Sequence, residues 1–182
     1  PLGDLASRIV SPIQSSGIRD RIMGDNILNL EAKAIKYLFD RSLLSGIIAL
    51  DQAAAFPSIS RAFILWVLKM MGFPRRIRKL IKLMYTGGKS FVSFRGKIYK
   101  HFVATAGVKQ GDPSAMVLFV IAFDPIIRWI DSLISPIGFQ LFGYCDDLGI
   151  VCKDLGKTWG IQMSAFKIVQ RVCSLELNVD KT

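Results

Sequence analysis

Apolar and polar residues follow two different periods along this chain, and the changes of period predict where helices and strands lie. Over residues 26–44 apolar side chains recur about every 3.6 positions, which indicates one face of a helix, and Asp25 is its expected cap. Residues 46–50 form a short continuous apolar run. This run predicts a buried strand that delivers Asp51 at its end.

Two helices are predicted next, one after the other. Ser58 or Ser60 can cap a helix that runs to about Met71, and a second helix follows over residues 74–84. In the second helix an apolar face alternates with basic side chains, which are Arg75, Arg76, Arg78, Lys79 and Lys82. Such a basic face is either solvated surface or a contact for an anionic partner.

The remaining pattern mixes hairpins with long helices. Over residues 90–105 side chains alternate as they do in strands, and the pattern breaks near Arg95, which predicts a hairpin. Residues 114–133 predict a buried helix that is interrupted or bent at Pro125. Residues 141–152 are two short apolar runs joined at two aspartates, which predicts another hairpin, and residues 158–175 form an amphipathic helix.

The sum of these elements predicts an α+β fold in which a small antiparallel sheet is covered by helices on one side. In that arrangement Asp51, at the end of a strand, and the pair Asp146 and Asp147, at a hairpin tip, could converge at one edge of the sheet. Two adjacent charges inside an apolar run are costly unless a partner or a metal ion compensates them. The alternative is an ordinary solvated turn, in which Asp is common.

Composition adds an expected partner and an expected setting. The chain has 182 residues, of which 51% are hydrophobic, and a formal net charge of +10, which favours an anionic partner such as nucleic acid. Cys145, Cys152 and Cys173 have no CxxC spacing, and His101 has no Cys or His neighbour to complete a zinc site. We therefore expect a reducing, intracellular setting.

No apolar run reaches the roughly 20 residues that a membrane helix needs, and no signal peptide opens the chain, so neither a membrane partner nor secretion is expected. The absence of an initial methionine suggests a segment of a longer polypeptide. Three converging carboxylates without His or Cys would make an all-oxygen site suited to Mg²⁺ or Mn²⁺. Two such ions can promote in-line displacement at phosphorus.

Five segments, in order, resemble the motifs of the reverse transcriptase domain of retroelements, most closely the non-LTR (LINE-type) retrotransposon kind. Residues 11–27 look like the fingers motif HPxQxGFxxGRxxxDNI, and residues 50–59, around LDQAAAFPSI, are similar to motif A. Residues 107–113, GVKQGDP, resemble motif B, residues 142–147, FGYCDD, resemble the YxDD box of motif C, and residues 177–182 look like motif D.

The resemblance implies a right-hand polymerase palm with part of the fingers, and a reaction: RNA-directed DNA synthesis from dNTPs on an RNA template with a DNA primer and two Mg²⁺ ions, for which Mn²⁺ can substitute. Asp51 and Asp146 would bind both ions, with Asp147 assisting and the Gln52 backbone carbonyl completing one coordination shell. Lys181 would be the general acid for the pyrophosphate leaving group.

The same resemblance implies contacts with the nucleotide and the template. Phe56 would be the steric gate beneath the incoming sugar, although plain core packing is the commoner fate of a Phe. Arg21 would contact the triphosphate, and Gln110 and Gly111 would pack against the nascent base pair and template. The expected template-primer contacts are Tyr144, Arg75, Arg76, Lys79, Lys109 and the region from residue 97 to residue 109.

Several positions depart from the family pattern, namely Ser11, Pro57, Asp112, Ala115, Met116 and Cys145. None of these removes an expected metal ligand, but Asp112 would weaken template binding by like-charge repulsion. The expected organisation is one domain fragment over residues 1–182, with partial fingers over about 1–45, mainly palm over 46–182 with a possible fingers insertion, and no thumb. We expect such an isolated fragment to be inactive.

Three other functions share features with this sequence. A catalytically inactive descendant could keep the fold as a nucleic-acid-binding module, and a group II intron maturase or retron-type enzyme would share the chemistry. An RNA-dependent RNA polymerase is disfavoured by Phe56 and by YxDD in place of GDD. In each case we expect an intracellular ribonucleoprotein, nuclear or cytoplasmic, and the oligomeric state stays open.

Overall fold

The computed structural model describes residues 2–39 and 44–182. Its helices are α1 Leu2–Ile9, α2 Met23–Phe39, α3 Ala55–Ser58, α4 Arg61–Met70, α5 Arg75–Tyr85, α6 Ala115–Ile134 and α7 Leu155–Cys173. Its strands are β1 Gly46–Leu50, β2 Gln52–Ala53, β3 Lys89–Ser90, β4 Ser93–Phe94, β5 Lys97–Ile98, β6 Phe102–Val103, β7 Gln140–Tyr144, β8 Asp147–Cys152 and β9 Glu176–Leu177. The predicted α+β class, with a small antiparallel sheet against helices, is confirmed.

A three-stranded antiparallel sheet, in the order β1-β8-β7, forms the centre. β1 pairs with β8 from Gly46 opposite Cys152 to Leu50 opposite Leu148, and β7 pairs with β8 up to Tyr144 opposite Asp147. Both the predicted strand at 46–50 and the predicted hairpin around the two aspartates are therefore confirmed.

Helices cover both faces of this sheet, so the prediction of a one-sided layer was wrong. Because side chains alternate along a strand, Leu148 and Ile150 join the main core, whereas Val151 points to the opposite face. There it packs with Phe142 against Tyr37 of α2. The second face is thus a smaller apolar layer under α2.

Helix α6 is the centre of the main core. Five of its consecutive residues, from Phe119 to Phe123, have no exposed surface, and the helix continues through Pro125 without interruption. Asp124 is also fully buried, and its carboxylate accepts hydrogen bonds from the Ser11 backbone N–H at 2.6 Å and the Arg128 Nε at 2.7 Å. Both oxygens of the buried charge are thereby compensated. Within the described ranges, no helix, α6 included, has the length and apolarity to cross a membrane.

The predicted helix boundaries hold better for α4 than for α2. Ser60 caps α4, and its hydroxyl accepts a hydrogen bond from the Phe63 N–H. Helix α2 begins at Met23, so Asp25 lies in its first turn and is not the cap. The predicted continuation over residues 40–43 lies outside the described residues. Much of the predicted apolar stripe of α2 is solvent exposed, with Ile35 52% accessible.

Residues 89–103 form a double hairpin, here called the arm. Its outer pair, β3 with β6, and its inner pair, β4 with β5, are antiparallel, and Arg95 and Gly96 make the tip. Both tip residues have positive φ, as a two-residue type I′ turn requires. The predicted hairpin with its break at Arg95 is confirmed.

The loop of motif B is fastened to motif A by main-chain contacts. The Gly107 N–H donates to the Ile59 carbonyl, and the Val108 N–H donates to the Phe56 carbonyl, both at 2.8 Å. Gly107 has φ +73°, and a Cβ there would lie 2.4 Å from backbone atoms of Pro57. The contact therefore requires glycine for both its conformation and its lack of a side chain.

We expect Gly107→Ala to lower the free energy of unfolding by about 3 kcal/mol, because it adds a backbone clash to the cost of a left-handed residue. Gly72→Ala is the matched control, since Gly72 has φ +79° and no atom lies within 4 Å of the place that its new methyl group would take. It should cost only about 1 kcal/mol. Urea unfolding of both variants measures the difference, and equal losses would contradict the proposed close contact.

Candidate functional site

The strand register brings the three predicted aspartates to one edge of the sheet. Leu50 lies opposite Leu148, so continuing the register by one residue places Asp51 opposite Asp147. Asp146 lies in the two-residue turn between Tyr144 and Asp147. The convergence expected from the sequence is therefore present in the backbone.

The C-terminal segment closes over Asp51. The Lys181 Nζ lies 3.5 Å from Asp51 Oδ2, and the Asn178 side-chain amide donates to the same oxygen at 3.1 Å. The Asn178 backbone N–H donates to the Asp51 carbonyl at 2.8 Å, and β9 pairs with β2 through Leu177 opposite Gln52. This segment places a cation beside the carboxylates.

The site keeps an excess of negative charge despite Lys181. Desolvation raises the pKa of Asp147, the negative charges of Asp146 and Asp51 raise this pKa further, and Lys181 lowers it. Because the charges of Asp146 and Asp51 both act on Asp147, a further cation at this edge would relieve repulsion on the Asp147 carboxylate.

The donor set fits Mg²⁺ or Mn²⁺ in chemical type, since carboxylate and carbonyl oxygens are the ligands that these ions prefer. In the ranges 2–39 and 44–182, however, no group of three or more His, Cys, Asp or Glu side chains is arranged to hold a metal ion. The Gln52 side chain is buried, and its amide has no hydrogen-bond partner among the described atoms. Metal binding by Asp51, Asp146, Asp147 and the Gln52 carbonyl stays a prediction.

Phe56 occupies a position between core and surface. Its ring stacks on Phe119 with centroids 4.8 Å apart and planes 15° apart, while part of its surface stays accessible. The stack satisfies the core-packing interpretation and also holds the ring in one orientation. Its role as a steric gate stays a prediction.

The motif B turn is exposed at the residues expected to contact nucleotide and template. Gln110 and Gly111 are exposed, and the Lys109 Nζ lies 3.4 Å from the Met84 carbonyl. Asp112 accepts hydrogen bonds from the Tyr85 hydroxyl at 2.6 Å and from Ser114 N–H and Oγ at 2.8 Å. The Tyr85 hydrogen bond in particular lowers the pKa of Asp112, so its carboxylate is engaged inside the protein.

Arg21 has a structural environment that the sequence did not indicate. Its guanidinium donates to the backbone carbonyls of Ser7, Val10, Ser11 and Gln14, so it fastens the C-terminal end of α1 to the turn that follows. Desolvation lowers its pKa. The expected contact with a triphosphate stays a prediction, and it would compete with these four hydrogen bonds.

The other predicted contact residues lie on accessible surface. Arg75, Arg76 and Lys79 are exposed on α5, and Tyr144 is 37% accessible at the end of β7. Of the six large apolar residues of α5, only Ile81 and Tyr85 are buried, so most of the apolar surface of this helix is accessible.

Three further residues support the site although the sequence analysis assigned them no role. Arg61 donates to the carbonyls of Tyr85, Ala104 and Gly107, and so joins both ends of the segment that carries the arm. Asn178 binds Asp51, and Gln14 binds the turn that carries Asp146. Gln14 lies within the fingers motif and Asn178 within motif D, and this position was the only indication in the sequence that either has a role. For Arg61 there was no such indication in the sequence.

Comparison with known proteins gives one family. The family model for reverse transcriptase (RNA-dependent DNA polymerase) matches residues 7–182. The chain is 30% identical over 138 residues to the retrovirus-related Pol polyprotein from the type-2 retrotransposable element R2DM of Drosophila melanogaster, covering 72% of the chain and 13% of that protein. It is 22% identical over 161 residues to the transposon TX1 uncharacterized 149 kDa protein of Xenopus laevis, covering 85% of the chain and 12% of that protein.

Solved structures share the fold. Telomerase from Candida albicans, solved with a TWJ fragment of telomeric RNA, superposes with a TM-score of 0.73 over 100% of this chain and 34% of its own length, at 12% identity. Apo telomerase from Candida tropicalis superposes with a TM-score of 0.68 over 98% of this chain and 36% of its own, at 13% identity. The chain thus spans about an eighth of the two retroelement proteins and about a third of the telomerases.

We expect Asp147→Asn to stabilise the metal-free protein at neutral pH by about 0.5 kcal/mol, a value discounted for the exposure of this side chain. The pKa of Asp147 is raised in the folded state, so its ionised form costs stability above that pKa, and the cost disappears as the wild type becomes protonated. Thermal melts in EDTA from pH 7 down to pH 4 should show the gain shrinking.

Asp25→Asn is a control of opposite sign, because Asp25 lies in the first turn of α2 and interacts favourably with the helix dipole. That variant should lose stability at pH 7. A loss of stability in Asp147→Asn at neutral pH would show that the carboxylates at this edge are already compensated.

Proposed function

Because this chain belongs to the reverse transcriptase (RNA-dependent DNA polymerase) family and is similar to non-LTR retrotransposon proteins, we propose that it catalyses RNA-directed DNA synthesis for a retroelement. The reaction is nucleotidyl transfer from a dNTP to a primer 3′-hydroxyl on an RNA template. One observation carries the proposal: the pairing of Leu50 with Leu148 puts Asp51, Asp146 and Asp147 at one sheet edge, with Lys181 beside them.

In this mechanism the carboxylates of Asp51, Asp146 and Asp147 and the Gln52 carbonyl would hold two Mg²⁺ ions, or Mn²⁺ in their place. When bound, these ions would supply Lewis-acid activation of the primer hydroxyl and neutralise the triphosphate charge. The primer 3′-hydroxyl gives its proton to solvent water, and its oxygen forms a bond to the α-phosphorus while the bond from that phosphorus to the pyrophosphate oxygen breaks. Lys181 exchanges its contact with Asp51 for the departing pyrophosphate and donates its proton to it.

Nucleotide selection follows from Phe56. The stack on Phe119 fixes the ring, so a ring edge beneath the incoming sugar would exclude a 2′-hydroxyl without moving. Gln110 and Gly111 lie in the exposed turn that follows the contact of Gly107 with motif A, and they would pack against the nascent base pair. Arg21 would contact the triphosphate only after releasing some of its carbonyl partners.

Positive charge is concentrated in about one third of the chain, residues 52–111, and this segment is suited to attract nucleic acid. Residues 52–111 contain 12 of the 24 Lys and Arg residues and none of the 14 Asp and Glu residues, so the rest of the chain has 12 cations against 14 anions. Arg75, Arg76, Lys79 and Lys109 belong to this segment, as does the arm. We propose that it binds the RNA template and the DNA primer, with Tyr144 contacting the primer end.

The arm is suited to single-stranded template. It combines Lys89, Arg95, Lys97 and Lys100 with aromatic rings that are half or more exposed, namely Phe91, Phe94, Tyr99 and Phe102. Exposed rings stack on bases while cations contact phosphates. Arg61 donates hydrogen bonds to the carbonyls of Tyr85 and Ala104, one on each side of the arm, and so fixes the two ends of the segment that carries it.

Around this centre, we propose that residues 1–45 are partial fingers and residues 46–182 mainly palm, with the arm as the fingers insertion. The protein would act in an intracellular ribonucleoprotein. A second candidate function is an inactive nucleic-acid-binding descendant. It is favoured by the lack, in the part of the chain that the structure describes, of an assembled group of metal-ligand side chains.

Primer extension tests the choice between the two functions. With an RNA template, a DNA primer, dNTPs and Mg²⁺, Asp51→Asn and Asp146→Asn should each lower kcat by about 10²-fold or more, since each removes charge from the reacting centre. Asp20→Asn, at a carboxylate that is 90% exposed, should not change it. The assay is run on this chain and on the polypeptide of its natural reading frame, and the latter decides between the candidates, because this chain spans about an eighth of the two retroelement proteins.

RNA binding in the same proteins separates the candidates further. An active enzyme loses synthesis in both aspartate variants and keeps RNA binding. Binding without any synthesis, in the wild type as in the variants, would replace the polymerase with the inactive module. Equal use of ribonucleotides and deoxynucleotides by the wild type would contradict the role given to Phe56.

The arm generates its own prediction. Lys97→Gln with Lys100→Gln should weaken binding of single-stranded RNA and reduce the slope of log affinity against log salt by about 1.4, because two phosphate contacts are lost. Lys36→Gln with Lys167→Gln, which removes two exposed charges from α2 and α7, is the matched control. Salt titrations followed by fluorescence anisotropy give the slope of log affinity against log salt for each double variant. Equal slopes for the two variants would exclude the arm from the binding surface.

A further inference from the structure

The turn that carries the catalytic pair contains a residue in a left-handed conformation. Cys145 is the first of the two turn residues between β7 and β8, and its φ is +59°. A positive φ at this position is typical of a type II′ turn, which usually has glycine there. Cys145 has a side chain, and that side chain is buried. Something other than local preference must therefore hold the turn.

The side chain of Gln14 contacts this turn from 131 residues away in the sequence. Its Nε2 donates to the Cys145 carbonyl at 2.9 Å, and its Oε1 accepts from the Cys145 N–H at 2.8 Å. Gln14 thus binds both backbone groups of the one strained residue. The Gln14 side chain is fully buried, so water does not compete for these hydrogen bonds.

Gln14 is itself held on both sides. The Ile13 carbonyl accepts from the Gly143 N–H, and the Ser15 N–H donates to the Gly143 carbonyl, each at 3.0 Å, so residues 13–15 lie along the end of β7. On the other side, the Ser11 N–H donates to the buried carboxylate of Asp124 in α6. The contacts of Arg21 with the carbonyls of Ser11 and Gln14 complete the support.

We propose that Gln14 is a positioning residue for the polymerase reaction: its carboxamide holds Cys145 in the left-handed conformation that presents Asp146 and Asp147 at the sheet edge. A primary amide offers one donor and one acceptor side by side at any pH at which the protein is folded, whereas a carboxyl group has a donor only when it is protonated. Ionised glutamate has the same shape but no donor, and it would put a negative charge against the Cys145 carbonyl. The catalytic role of the aspartates rests on the proposed function, whereas the contact that positions them does not.

The first experiment measures the turn without using activity. Native-state alkylation by iodoacetamide, followed residue by residue with mass spectrometry, reports exposure of Cys145 beside that of Cys173. Cys173 is the internal control, because it is also a buried free thiol but lies at the end of α7. Gln14→Met should speed alkylation of Cys145 about tenfold or more and leave Cys173 unchanged, since the turn opens more often once its partner is lost.

Gln162→Met is the matched control variant. Gln162 is another buried glutamine, and its amide has no hydrogen-bond partner among the described atoms, so the change removes an amide without removing these contacts. It should leave the alkylation rates of both cysteines unchanged. Gln14→Glu should increase the alkylation rate of Cys145 at least as much as Gln14→Met does.

The second experiment connects the turn to catalysis. Gln14→Met should lower kcat about tenfold or more and raise the half-saturating Mg²⁺ concentration, while KM for the template stays the same. Adding Cys145→Gly should restore part of kcat, because glycine adopts a positive φ without the penalty that the amide offsets. A purely structural role for Gln14 would not be rescued by a change in the turn.

The outcomes are distinct. Faster alkylation of Cys145 alone, with rescue by Cys145→Gly, supports the positioning role. Equal acceleration of alkylation at Cys145 and Cys173 would indicate general destabilisation of the protein. An unchanged alkylation rate at Cys145 would indicate that the turn keeps its conformation without Gln14. Either result overturns the proposal. A wild type without polymerase activity would refute the proposed function, while the alkylation data would still decide whether Gln14 holds the turn.

Discussion

The antiparallel pairing of β1 with β8 is the interaction on which the rest of the structure depends. It places Leu50 opposite Leu148 in the core and, one residue further, Asp51 opposite Asp147 at the edge. A slip of one residue would turn the apolar side chains away from α6 and separate the carboxylates. The hydrophobic core and the candidate site are therefore set by the same register, so burial of the core also assembles the charges.

Crowded carboxylates must be compensated, and the chain does this with segments from both of its ends. Lys181 and Asn178 contact Asp51 from the C-terminal side, while Gln14 holds the Cys145 turn from the N-terminal side. Each segment is also anchored in the main core by a neighbouring apolar residue, Ile18 on the N-terminal side and Leu177 on the C-terminal side. Their function is to hold polar groups in place where the pairing of the strands alone leaves repulsion and a strained turn.

Sequence reasoning succeeded where one local pattern determined the result. The continuous apolar run at 46–50 is a strand, the break at Arg95 is a hairpin tip, and Ser60 caps α4. It failed at the start of α2, where Asp25 was the expected cap but lies in the first turn, and the apolar period did not show that Ile35 would be exposed. The period of apolar residues predicts the helix but not the neighbour that covers it. Among the apolar residues of α2, Tyr37, Leu30 and Ala34 pack against the second face of the sheet.

By itself, the sequence determined the family and the order of its motifs, the residues of the candidate site, and the strand and hairpin that carry the aspartates. These depend on residue type and short spacing, both of which can be read directly. Only the tertiary structure decided that Arg21 binds backbone carbonyls, that Asp112 binds Tyr85, and that Gln14 holds Cys145. The physical reason is that each such contact joins a polar side chain to a backbone or side-chain group whose position depends on the packing of the whole chain, and no local pattern records that position.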